Sequence, residues 1–177
     1  MNFSSSADAL GALKLAIAAE KEGLESYLHY ALKTEGKEGK DMFLRLALDE
    51  VDHMNLLEDQ YQHLEATGNF RSKDLPKTLL ERIRPVVKTR KYHHTTENGL
   101  SAIEALKTAL EHERKAVRFY QDFYGNTGDQ AARNIFGRLI EMEEAHVEII
   151  QAEIDSITGS GFWFGISEIT LEHSLEE

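Results

Sequence analysis

Two Glu-x-x-His spacings, Glu50/His53 and Glu143/His146, lie 93 residues apart, and the same offset carries Glu20 onto Glu113. Residues three apart on a helix stand one turn above each other, so each pair presents a carboxylate and an imidazole on one face. Glu20 falls in register with Leu13, Ile17, Leu24 and Tyr27, and Glu113 with Leu106, Leu110, Val117 and Tyr120. Glu50 and His53 share the face of Phe43, Leu46 and Leu57; Glu143 and His146 sit between Leu139 and Ile150. Six ionisable groups thus interrupt apolar seams. Buried carboxylates need partners or a cation. Four carboxylates can neutralise two divalent cations, with two of them bridging. Two imidazoles favour iron, manganese or zinc over calcium or magnesium. Two Glu helices and two Glu-x-x-His helices form the ligand set of a dinuclear carboxylate site. The expected metal ligands are therefore Glu20, Glu50, His53, Glu113, Glu143 and His146.

The offset runs without a gap from residues 9–53 onto 102–146, and thirteen of these 45 positions are identical. One Glu-x-x-His would arise by chance in a chain with eight histidines. Two at one repeat offset, both on apolar seams and joined by two further seam glutamates, are not a chance pattern. Tyr27 and Tyr120 are also repeat mates, each two turns from its seam glutamate. A buried tyrosine hydroxyl needs a partner, and a ligand carboxylate on the facing helix is the natural one. The alternative is that both rings only fill the core.

These side chains require four long helices, and four segments show the apolar period of a helix. The first starts near Ser5, with Asp8 completing a capping box, and stops at Gly36. The second runs from about Gly39 to Thr67, with Gly68 as its stop. The third begins at Asn98 or Ser101, where Ser101 and Glu104 form another capping box, and stops at Gly125. The fourth runs from near Asp129 to about Ile157, before Gly159. Short loops within each pair make antiparallel neighbours. Between the pairs, residues 68–96 form a long crossover with a short helix expected from Asp74 to Ile83, Pro76 in its first turn. The predicted fold is all-α: a ferritin-like four-helix bundle of two duplicated antiparallel helix pairs joined by that crossover. The bundle is expected over 1–161, followed by an aromatic and acidic tail over 162–177. Phe162, Trp163 and Phe164 are costly to expose and are expected to pack on the bundle or a partner subunit.

Composition narrows the function classes. At 177 residues, 41% apolar and 29% charged, the chain has the length and make-up of one globular domain. A net charge of −11 argues against nucleic acid or an anionic membrane as partner. With no cysteine, the chain holds no disulfide, thiolate metal site or Cys-ligated iron centre. Met1 to Ala19 shows no basic start followed by a long apolar run, and no stretch reaches the ~20 apolar residues of a membrane span, so a cytoplasmic protein is expected. The crossover holds eight Lys and Arg against Asp74 and Glu81, a net of +6, which leaves −17 for the rest of the total of −11. Such a strap would neutralise acidic helices beneath it, or dock an acidic electron-transfer partner. Glu22 and Glu111 are expected in solvent, and Asp49, Asp52, Glu141 and Glu144 mostly at the surface. His93 and His94 read as surface residues, and His112 as either surface or support for the ligands. Arg45 and Arg138 are expected to pair with nearby acids.

At these residues the chain resembles the rubrerythrin branch of the ferritin-like di-iron superfamily. The shared patterns are A-I-x-x-E-x6-Y over Ala16 to Tyr27, its echo over Ala109 to Tyr120, and F-x-R-L-x3-E-x-x-H over Phe43 to His53 and Phe136 to His146. The resemblance implies two iron ions, with manganese or zinc as substitutes, a homodimer, and reaction with hydrogen peroxide or dioxygen. It implies a peroxidase that reduces hydrogen peroxide to water, or a ferroxidase that oxidises Fe(II); the non-catalytic alternative is a metal-binding protein whose site is stable but unreactive. Two departures stand out. Rubrerythrins proper carry a rubredoxin-like domain with four cysteines; without it, electrons must come from an external donor protein. They also carry an extra glutamate one turn after the third-helix ligand, where this chain has Ala116, with Gly23 as its repeat mate. The six-ligand set is in that respect closer to ferritin-type ferroxidase sites.

Overall fold

The computed structural model describes residues 6–34, 37–72, 75–82 and 99–158. The aromatic tail, His93, His94, Gly36 and Gly159 lie outside the described residues. The described chain forms α1 (Ser6–Lys33), α2 (Lys37–Thr67), α3 (Leu79–Arg82), α4 (Gly99–Asn126) and α5 (Gln130–Thr158), with no strand among the described residues. α1 packs along α2 and α4 along α5, and the two pairs meet through α1 and α4. The fold is the all-α ferritin-like bundle that the seams predict.

Helix ends follow local chemistry. Gly68 takes a positive φ of 74°, and its N–H donates to Leu64 O at 2.8 Å, which closes α2 in the left-handed manner that glycine permits. Asp129 caps α5, its Oδ1 accepting the Ala132 N–H at 3.0 Å. Two expected boundaries move, and one is decided between its alternatives. α4 begins at Gly99, in line with the Asn98 alternative, so Ser101 lies inside the helix rather than capping it. It passes Gly125 by one residue, because Thr127 N–H still donates to Phe123 O at 3.1 Å. The expected helix from Asp74 shrinks at its N-terminal side: α3 starts only at Leu79, behind a capping box of Thr78 and Glu81. Thr78 N–H donates to Glu81 Oε2 at 2.7 Å and Glu81 N–H to Thr78 Oγ1 at 3.2 Å, leaving Pro76 in the extended approach.

The core is two apolar clusters. One gathers Tyr27, Phe43, Leu46, Leu110, Ile150 and Ile154, with Leu79 of α3 packed on it. The other gathers Leu13, Ala16, Leu57, Tyr120, Phe136 and Leu139. Every long helix passes from one cluster to the other. Glu20 lies between Ala16 and Tyr27, Glu113 between Leu110 and Tyr120, and the two Glu-x-x-His turns fall at matching heights. The bundle therefore sandwiches a polar belt between two apolar plugs.

The crossover is pinned at both of its described parts. Buried Gln60 donates to Arg71 O at 3.2 Å and accepts Arg71 N–H at 3.0 Å. Arg138 of α5 donates to Pro76 O at 2.7 Å, to Glu141 at 2.6 Å and to Glu81. Arg71 reaches Asp59 at 3.3 Å. Arg71 thus sets a basic crossover residue on an acidic helix side chain, whereas Arg138 and Glu81 pair with the charges reversed.

A candidate dinuclear metal centre

All six expected ligands are brought together and buried, Glu20 at 4% exposure and His53 and His146 at 0%. His53 Nδ1 lies 3.1 Å from Glu20 Oε2, 3.2 Å from Glu50 Oε2 and 2.9 Å from Glu143 Oε1. His146 Nδ1 lies 3.6 Å from Glu50 Oε1, 3.6 Å from Glu113 Oε2 and 3.5 Å from Glu143 Oε2. The two imidazoles stack, with centroids 5.3 Å apart and planes 17° apart. Two groups of four ligand atoms result: Glu20, Glu50, His53 and Glu143 in one, and Glu50, Glu113, Glu143 and His146 in the other, each within 4.8 Å. Glu50 and Glu143 belong to both, the place of bridging carboxylates.

Electrostatics show how costly this belt is to the protein alone. Burial, then Glu20 and Glu143, push the Glu50 carboxyl well above its ordinary range. Burial and Glu143 do the same to Glu113. Burial also opposes ionisation of Glu143, but His53 and His146 overcome it and hold that carboxyl well below its ordinary range. Against their own burial, the neighbouring carboxylates raise both imidazoles well above the usual histidine range. Glu50 Oε2, Glu113 Oε1, Glu143 Oε1 and His146 Nδ1 are still left with no well-formed hydrogen bond. Such orphaned buried atoms, converging from three helices, fit divalent cations as their missing partners.

The two tyrosines differ. Tyr120 donates to Glu20 Oε1 across the bundle, and burial with Glu20 beside it raises the phenol well above its ordinary range. The Tyr27 hydroxyl finds no hydrogen bond among the described residues; its ring lies on Phe43, with centroids 6.2 Å apart. Of the expected pair of tyrosine contacts, one is present.

Asp49 corrects the sequence reading. Expected at the surface, it is 1% exposed and accepts from His146 Nε2 at 3.2 Å. Its other oxygen pairs with Arg82 of α3, which also reaches Asp52 at 3.4 Å. Burial opposes its charge, yet His146 and Arg82 hold its carboxyl below the usual range. A signal was present: the repeat mate of Asp49 is Met142, so this position belongs to the inward face. Glu22, Asp52, Glu111, Glu141 and Glu144 are exposed as expected. α1 runs close behind the belt at Gly23, where an added Cβ would stand 3.4 Å from the Glu50 carboxyl carbon and 3.5 Å from His112 Cε1.

Comparison with known proteins agrees with this geometry. A solved structure of a hypothetical protein from Pyrococcus furiosus superposes with a TM-score of 0.63 at 21% identity, over 86% of this chain and 91% of that one. That likeness concerns the fold. No curated protein matches the chain. The rubrerythrin family profile matches residues 11–154, which span all four long helices and the whole belt. The chain therefore belongs to the rubrerythrin family, with a buried acidic and histidine cluster compatible with a di-iron site.

Proposed function

We propose that this chain is a di-iron redox protein that reduces hydrogen peroxide to water with electrons from a separate donor protein. The observation that supports it is the pair of buried ligand groups sharing Glu50 and Glu143, in a chain of the rubrerythrin family. A bound iron pair supplies one electron from each ion, and peroxide with two electrons and two protons leaves as two waters.

The residues around the ions have definable tasks. Glu20 with His53 and Glu113 with His146 would each hold one ion, and Glu50 with Glu143 would span both. Tyr120 fixes the orientation of Glu20 by donating to Oε1, and its raised pKa keeps the proton on the phenol. The apolar plugs on either side keep bulk water from the belt. Without cysteine, the chain offers no thiolate-ligated relay, which is why the reading includes an external donor.

One observation favours a second reading. Gly23 and Ala116 provide no seventh carboxylate beside the belt, and the backbone at Gly23 lies close to Glu50. A six-ligand site of this kind suits oxidation of Fe(II) by dioxygen. Stopped-flow oxidation of anaerobic protein loaded with Fe(II) separates the two. The peroxidase reading expects peroxide to oxidise the protein much faster than dioxygen does. Faster oxidation by dioxygen would replace it with the ferroxidase reading.

A further inference from the structure

The two halves of the belt are supported differently from behind. His146 points Nδ1 at the ligand carboxylates and Nε2 at Asp49 Oδ2, 3.2 Å away. Asp49 is itself paired with Arg82 of the crossover helix α3. His53 also points Nδ1 inward, but its Nε2 has no hydrogen-bond partner among the described residues. The repeat accounts for this, since Met142 stands where the second copy would need an aspartate. On the carboxylate side the imbalance runs the other way: Tyr120 donates to Glu20, while Glu113 Oε1 and the Tyr27 hydroxyl have no hydrogen-bond partner among the described residues.

The two contacts differ in effect. A carboxylate accepting the Nε2–H fixes the tautomer with its lone pair on Nδ1 and makes the imidazole a stronger donor to a metal. A phenol donating to a ligand carboxylate orients that carboxylate but adds nothing to its basicity. The first effect makes His146 the stronger donor, and the second gives the half with Glu20 orientation alone.

We propose that the two metal positions are unequal in affinity: the position of His146 and Glu113 is the tighter, and Asp49 and Arg82 are positioning residues that make it so. This rests on the dinuclear reading of the belt. It ties the crossover to the metal centre, because seating α3 on α2 through Arg82 orients Asp49 and hence His146.

The test is a Co(II) titration of the metal-free full chain, followed by calorimetry and visible absorption. The wild type should bind two ions in steps separated by about tenfold or more. His53→Ala should keep the tight step and His146→Ala should lose it. Asp49→Asn should weaken the tight step by about 10–100-fold and leave the other step in place. Arg82→Gln should lower the same step by a smaller factor, and this exposed position tests the relay should Asp49→Asn not fold. A purely structural role would instead lower both steps together with the melting temperature. Two equal steps in the wild type, or a tight step that survives His146→Ala, overturn the inequality alone. Binding of fewer than two cobalt ions overturns the dinuclear reading with it.

Discussion

The half of the belt built on His146 and the half built on His53 present the same inward pattern of Glu, Glu and His. They differ one layer out. His146 backs onto Asp49 and Arg82, while the outer nitrogen of His53 has no hydrogen-bond partner among the described residues. Glu20 is held by Tyr120, while Tyr27 leaves Glu113 without such a bond. In this chain the positions that face a shared cluster match, and the positions that only support them diverge. Symmetry in the ligands therefore does not imply symmetry in the site.

The comparison can be broken most severely at Glu143, which faces both imidazoles. Glu143→Ala should cost the metal-free protein about 3–5 kcal/mol near pH 6, since it strips buried His53 of its main counter-charge and His146 of one of its partners. At about 2–4 °C per kcal/mol, a thermal melt should register a fall on the order of 10 °C. Glu113 faces His146 alone, so Glu113→Ala should leave one ion on the His53 half by elemental analysis.

The tyrosines sharpen the contrast at a smaller scale. Tyr120→Phe removes a buried hydrogen bond to a carboxylate and should cost about 1.5–3 kcal/mol in urea unfolding. Tyr27→Phe removes a hydroxyl that bonds nothing and should be neutral or slightly stabilising. Equal costs for the two substitutions would remove the asymmetry.

Acidity tests the belt as a whole. In the metal-free protein His53, His146, Glu50 and Glu113 all bind protons more tightly than in the unfolded chain. Their stabilisation is present at low pH and is lost as pH rises above about 4.5 for the carboxyls and 6.5 for the imidazoles. Metal binding must displace these protons, so affinity rises over the same window. The melting-temperature gain on adding metal should therefore grow from pH 6 to pH 8, and a gain that shrinks would contradict this proton count. The smallest effect is expected outside the belt: Arg138→Ala should cost about 1 kcal/mol and speed amide exchange over residues 75–82.

The four helices and the six inward ionisable residues were legible because two independent periodicities coincide. The helical period put Glu20 and Glu113 on apolar seams, and the 93-residue offset repeated both Glu-x-x-His turns. Residues without a repeat mate of the same kind were harder to read. Asp49 was placed at the surface because it neighbours a ligand, whereas Met142 at the mate position marks it as inward. Arg82 was legible only as one of eight basic crossover residues expected to neutralise acidic helices; its particular contact with Asp49 spans 33 residues and depends on where α3 lands. The start of α3 was missed because Pro76 suggested a first turn, while the Thr78–Glu81 capping box satisfies backbone donors three residues later.

The central claim is that one buried belt holds two metal ions shared through Glu50 and Glu143. Metal stoichiometry of the double variant Glu50→Ala/Glu143→Ala, measured beside the wild type after anaerobic Fe(II) loading and desalting, tests it most directly. The account predicts two ions per chain in the wild type and none held as a pair in the variant, with the helical circular dichroism retained. Two ions per chain in a folded double variant would contradict it.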